Sequence, residues 1–209
     1  MIIIPIGIDC GVSEMLRKYN LRNNAYPFDW IVSYNGITKI IKNDFKDYIP
    51  DINDSIGIIE GCHNIFNHNY GTKFIHDKFP LKEEYEKYNR RINKFKEILN
   101  NTTDDIIFFK KGHAYHNHAE YKFKDDIEDV IELNNYLKEN YKNLKYKIIL
   151  VLLCNKCYCN FNINNIKDDN IIIYKHLITD IRDIELHNKI ITGMEFEKIF
   201  LKIKEDFLK

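Results

Sequence analysis

Cys10 stands in IPIGIDCGVSEMLRK, where an apolar, β-branched run closes at Asp9 and an amphipathic run opens after Gly11. A cysteine at such a junction falls beyond the carboxyl end of a strand and at the first turn of a helix, where open α/β sheets hold their ligands. There the positive end of the helix dipole lowers a thiol's pKa and favours the thiolate, the nucleophilic form. Gly7 and Gly11 would let the backbone come close to a ligand, and amides near Gly11 would suit an oxyanion. A small buried hydrophobe packing the strand end fits the same position.

A nucleophilic cysteine needs an imidazole within hydrogen-bond reach and a carboxylate or amide to orient it. His76 stands beside Asp77 in KFIHDKF, and His113, His116 and His118 crowd GHAYHNH directly after the run IIFFKK. His76 with Asp77 or Asp29 could supply the base and its orienting group, as could His113. Each histidine taken singly also reads as an ordinary surface or core residue. CNKCYC sets Cys154, Cys157 and Cys159 after a further apolar run. A lone Cys-x-x-Cys with histidines upstream falls short of paired zinc knuckles, so no metal or other cofactor is expected and plain thiols account for the cysteines.

The elements that must position these residues alternate. Residues 2–8 read as a buried strand and Cys10 to Leu21 as a helix, through Val12, Met15, Leu16 and Tyr19. NAYPFDWIVSY turns at Pro27, and helical spacing returns through Ile37, Ile40, Ile41 and Phe45. Residues 56–79 alternate apolar and polar around NYGT, as a β-hairpin or a pair of short extended segments does. LKEEYEKYNRRINKFKEILN carries one apolar stripe, and the acid-opened DDIEDVIELNNYLKENYKNL reads as a second long helix. YKIILVLLC is apolar on both faces, as in a central parallel strand; NIIIYKHL reads as a strand and MEFEKIFLKIKEDFL as a closing helix. The expected fold class is α/β: a single domain over 1–209, a mostly parallel sheet with helices on both faces, and a β-hairpin insertion.

Lys plus Arg equals Asp plus Glu at 31 each, so no global field holds nucleic acid or anionic lipid, and neither nucleic acid nor membrane is an expected partner. No basic leader or long apolar span stands out, which points to a soluble, cytoplasmic protein. Five unevenly spaced cysteines suit reduced thiols. Asparagine fills about one position in eight, so Asn-rich loops carry little functional weight.

Taken together, PIGIDCGVSEMLRKYNLRNNAYPFDWI, FIHDKF, EKYNRRINKFKEIL and IIFFKK resemble a family described as papain-like cysteine peptidases, found in bacteria and large DNA viruses. The resemblance covers about the first half of the chain. Gly7, Cys10, Pro27, Phe28, Asp29, Trp30, His76, Asp77, Tyr88, Arg90 and Arg91 carry it. It implies a Cys10 nucleophile with a histidine partner, His76 being the best match, and a peptide or other small acyl substrate. A papain-like enzyme sets its cysteine on a helix packed against an antiparallel barrel, whereas the alternation here implies a parallel sheet. Trp30 is expected with Gly7 and Gly11 to line the substrate site, while Trp30 and Asp29 also read as a core anchor and a turn cap. If Arg90 or Arg91 faces a cleft, it could bind a carboxylate or phosphate.

The expected activity is a cysteine-dependent hydrolase or acyl transferase. There Cys10 attacks a carbonyl, His76 serves as base and then acid, and Asp29 or Asp77 orients the imidazole. A non-catalytic α/β binding module, with GHAYHNH and CNKCYC around a structural zinc, is the rival. A further alternative is a carbohydrate- or nucleotide-processing enzyme on a Rossmann-like or SGNH-like sheet. Asp183 and His187 in DIELHNKIITG resemble the last block of SGNH esterases, with one residue more between them and a Cys where the Ser would stand.

Overall fold

The computed structural model describes residues 1–7, 9–50, 56–59, 62–77, 82–113, 126–154, 166–177 and 185–208. In chain order the elements are β1 (Ile2–Pro5), α1 (Gly11–Lys18), β2 (Val32–Ser33), α2 (Thr38–Lys42), β3 (Ile56–Ile59), β4 (Cys62–Asn67) and β5 (Thr72–Phe74). There follow α3 (Lys82–Asn101), β6 (Ile106–His113), α4 (Asp126–Asn140), β7 (Tyr146–Cys154), β8 (Ile171–Leu177) and α5 (Glu185–Phe207).

The apolar runs become a four-stranded sheet in the order β1-β6-β7-β8, and every pairing in it is parallel. β7 is central, and Ile148 to Leu153 are buried on both faces, which is why YKIILVLLC lacks alternation. On one face Ile107, Phe109, Ile149, Val151 and Leu153 meet Val12 and Leu16 of α1 and Phe196, Phe200 and Ile203 of α5. On the other, Ile106, Phe108, Ile148 and Leu150 join a larger core with Val130, Leu133 and Leu137 of α4 and Tyr88, Ile92 and Phe95 of α3. Helices thus cover both faces, as the alternation implied. No helix among the described residues is long and apolar enough to cross a membrane.

The expected hairpin is there, as β4 and β5 around the turn at 68–71, but it belongs to more. β2 and β3 flank it in an antiparallel sheet of order β2-β5-β4-β3, and Ile65 and Phe74 pack into the larger core. Extended runs as short as VS gave no period to read. The helix expected from residue 37 stops at Lys42, because Asp44, Phe45 and Asp47 adopt left-handed backbone with φ of 54°, 62° and 55°.

A buried charge cluster ties β6 of the parallel sheet to α4 and to the start of α2. Lys110 Nζ on β6 lies 2.9 Å from Asp126 Oδ1 and 2.7 Å from Asp129 Oδ2 of α4. Asp129 also accepts the amides of Ile37 at 3.3 Å and Thr38 at 3.2 Å, satisfying donors that open α2. Gly36, at φ 73°, is held so close that a Cβ there would stand 2.2 Å from the Asp129 carboxyl group.

Candidate active site

β1 ends at Pro5, passes β6 closely at Gly7, and delivers Cys10 to the N-cap of α1 at the carboxyl edge of the parallel sheet. A Cβ on Gly7 would meet the Lys111 amide at 3.4 Å, the close approach expected of that glycine. Lys111, buried and on the α1 face of β6, reaches under the helix end, where its Nζ lies 3.0 Å from Asp9 Oδ2. A Cβ on Gly11 would sit 2.9 Å from that Nζ, so the glycine makes room for the lysine.

Asp9 also accepts the Gly11 amide at 2.8 Å through Oδ1, an Asx turn that leads the chain into α1. The amide expected to receive an oxyanion is therefore engaged by a carboxylate in this structure.

Cys10 is half-buried, and its Sγ donates to Glu14 Oε1 at 3.8 Å, one helical turn on. Its pKa is pushed up to about 11, by burial first and then by the negative charges of Glu14 and Asp9, which outweigh a backbone hydrogen bond and the Lys111 charge. This corrects the expectation of a depressed pKa at the helix terminus: two carboxylates and partial burial oppose the dipole.

Asp29 and Asp77, expected to orient an imidazole, hold other partners. Asp29 is 0% exposed and accepts Ser13 Oγ at 2.9 Å, Arg22 Nη2 at 2.6 Å and the Tyr26 amide at 2.9 Å, tying α1 to the PFDW turn. Asp77 accepts Lys87 Nζ at 2.5 Å and Tyr88 OH at 2.8 Å, docking α3 at the end of β5. His76 is exposed, and its ring meets Trp30 edge-on at 5.8 Å between centroids. Among the described residues no hydrogen bond or ion pair joins His76 to Cys10, Asp29 or Asp77.

Trp30, expected as a substrate-binding residue, is partly exposed at φ 65°, a left-handed conformation that a bulky residue adopts only when its surroundings impose it. Arg17 Cζ lies 4.9 Å and Arg22 Cζ 5.7 Å from its ring centroid. Arg90 is exposed on α3, and the Arg91 guanidinium lies 5.4 Å from the Tyr88 ring centroid. Arg17 and Arg22, rather than this pair, gather at Trp30.

His113 and Cys154 end the adjacent parallel strands β6 and β7, so GHAYHNH and CNKCYC leave the sheet from one edge. His116, His118, Cys157, Cys159 and Asp183, like the side chains of His113, Cys154 and His187, lie outside the described residues. His176 on β8 is engaged by Glu195 at 2.7 Å and stands three strand spacings from β1, ~14 Å, beyond direct reach of Cys10.

Asp9, Glu14, Arg17, Arg22 and Lys111 escaped the sequence reading. Glu14 and Arg17 were legible, because positions 10, 14 and 17 share one helical face. Lys111 left a fainter signal: consecutive lysines ending an apolar strand need counter-charges.

Fold and site define an α/β protein whose cysteine occupies the N-cap position of the first helix at the carboxyl edge of a parallel sheet, beside a partly buried ion pair. The chain belongs to the family described as "Putative papain-like cysteine peptidase (DUF1796)", which matches residues 1–156 and so spans this site. "Uncharacterized protein R408" of Acanthamoeba polyphaga mimivirus is 22% identical over 183 residues, covering 74% of this chain and 79% of that protein. No solved structure matches the chain.

Proposed function

We propose that the protein is a cysteine-dependent hydrolase acting on a peptide or other small acyl substrate, with Cys10 as nucleophile. The observation that carries the reading is the junction of Cys10 at the start of α1, beside the Asp9–Lys111 pair, in a chain belonging to a cysteine peptidase family. In the reaction Cys10 Sγ adds to the substrate carbonyl as its proton passes to an imidazole. The leaving group takes that proton as its bond to the carbonyl breaks, and water then hydrolyses the thioester.

His76 is the imidazole we assign, supported by its family-like His-Asp motif and its contact with Trp30. The thiol's high resting pKa means that thiolate forms as substrate arrives, when Lys111 offers the one neighbouring positive charge among the groups acting on Cys10. Asp9 would release the Gly11 amide to the oxyanion.

The test is labelling of the intact chain with an electrophilic peptide ketone, read by mass spectrometry, alongside turnover of a panel of peptide and ester substrates. One adduct on Cys10, none on Cys10→Ala and at least tenfold slower labelling of His76→Ala are the expected results. A folded Cys10→Ala protein with full turnover would overturn the reading.

The raised Cys10 pKa itself favours a second reading, a binding module whose thiol packs a pocket wall. Equal, slow alkylation of Cys10 with and without bound electrophilic peptide would support it.

A further inference from the structure

Asp29 holds the PFDW turn so firmly that Trp30 keeps a left-handed backbone while its ring stays partly exposed. Three nitrogen-bearing side chains gather on that ring from separate segments: Arg17 from α1 at 4.9 Å, Arg22 from the following loop at 5.7 Å and His76 from beyond β5 at 5.8 Å. Arg22 is neutralised by Asp29 at 2.6 Å, whereas Arg17 is exposed and makes no ion pair among the described residues. A guanidinium stacked on an indole is held in place with its N–H edge free to accept a planar anion. The ring thus presents one uncompensated positive charge and a neighbouring imidazole.

This platform lies along the face of α1 that carries Cys10. Seven helical positions from Cys10 to Arg17 are nearly two full turns, so both occupy one stripe with Glu14 between them, separated by ~10 Å along the axis. An extended substrate chain covers that distance in about three residues.

We propose that Arg17, stacked on Trp30, forms an anion subsite that selects substrates bearing a carboxylate or phosphate about three residues from the bond Cys10 attacks. Its placement relative to the scissile bond rests on the Cys10 reading; the binding of the anion does not. Arg17 donates to the anion, and the indole fixes the guanidinium plane. Glu14, between the subsite and the thiol, repels an anion placed too near Cys10.

Trp30 is the chain's sole tryptophan, so its fluorescence reports on this site directly. The intact chain is titrated with a tetrapeptide ending in a free carboxylate, with the same peptide as its C-terminal amide, and with inorganic phosphate. The expected result is a saturable change with the acid, at least fivefold weaker binding of the amide, and at least fivefold weaker binding of the acid by Arg17→Gln. Partial recovery is expected in Arg17→Lys, which keeps the charge and loses the fork. Displacement of the peptide acid by phosphate at a similar concentration assigns phosphate-bearing substrates, and its failure assigns carboxylates. Equal binding of acid and amide, no change with any of the three ligands, or an unaltered Arg17→Gln protein would overturn the subsite. Cys10→Ser separates the two readings. If it keeps the fluorescence response while labelling of wild-type Cys10 fails, the hydrolase reading falls and the subsite stands.

Discussion

Lys110 and Lys111 are consecutive on β6 and both buried, and the pleat turns them to opposite faces of the parallel sheet. Lys110 enters the larger core and meets two carboxylates, Asp126 and Asp129, the second of which also holds the amides opening α2. Burial alone would lower the Lys110 pKa, but the two carboxylates outweigh it and hold the ammonium charged. Lys111 meets one carboxylate, Asp9, whose other oxygen is committed to Gly11 at the foot of the helix that carries Cys10. The same side chain, one residue apart, meets two carboxylates where it joins β6 to α4 and α2, and one where it faces the thiol. A site keeps electrostatic leverage by leaving its charges incompletely matched, whereas a structural joint removes it.

The comparison is broken or upheld first by stability. Lys110→Met strands Asp129 and Asp126 without their cation, and loss of a partner from a buried pair costs about 3–5 kcal/mol. Lys111→Met leaves Asp9, which is 25% exposed, able to regain water, and its expected loss is about 1–2 kcal/mol. Urea unfolding of both variants decides it: equal losses would mean that Lys111 is a second structural joint.

Next in size is Gly36→Ala, which sets a methyl group against the Asp129 carboxyl and forces a β-carbon into left-handed backbone. A loss of about 2 kcal/mol is expected from strain and overpacking together. Gly11→Ala meets side-chain atoms that can shift, the end of Lys111 and the Asp9 carboxylate, with no left-handed backbone to strain, so it should cost less stability and disturb Cys10 more. The two variants, compared by thermal melts and by thiol alkylation, separate a joint from a site.

A third handle is acid. Burial pushes the Asp129 pKa up, but the Lys110 charge and hydrogen bonds from Lys110 and Thr38 outweigh it, so the net pKa lies below its ordinary 3.8. A depressed carboxyl contributes stability above the unfolded pKa and loses it as pH falls through the folded one, so this contribution should fade only below about pH 4. Removing it in Lys110→Met should flatten the acid limb of a stability-against-pH curve, while Lys111→Met should leave that limb in place.

Much of this arrangement was legible because it is local. Apolar runs marked the parallel strands, helical spacing marked α1 and α3, an acid-rich opening marked α4, and the strand-to-helix junction marked Cys10. What stayed hidden depends on partners far along the chain. Lys111 and Asp9 are 102 positions apart, and Asp29 meets Ser13 across 16. The PFDW and His-Asp motifs were visible as residues, but their carboxylates' commitments to Ser13, Arg22, Lys87 and Tyr88 follow only from the packing of α1, β5 and α3. The antiparallel sheet was read as a bare hairpin because β2 is two residues long and carries no alternation.

The smallest effect probes the site's own balance. At Cys10 burial acts first, followed by Glu14 and Asp9; a backbone hydrogen bond and Lys111 pull the other way, and the balance leaves the pKa at about 11. Glu14→Gln removes a like charge from the thiolate and should lower the alkylation midpoint by about one pH unit; Lys111→Met should raise it. The folded pKa lies above the ordinary 9.0, so the thiol's contribution to stability is present below pH 9 and lost between there and about 11. Iodoacetamide rates against pH on the folded chain measure both variants. If Glu14→Gln leaves the midpoint where it was, Glu14 does not act on the thiol, and burial rather than this neighbouring charge sets its pKa.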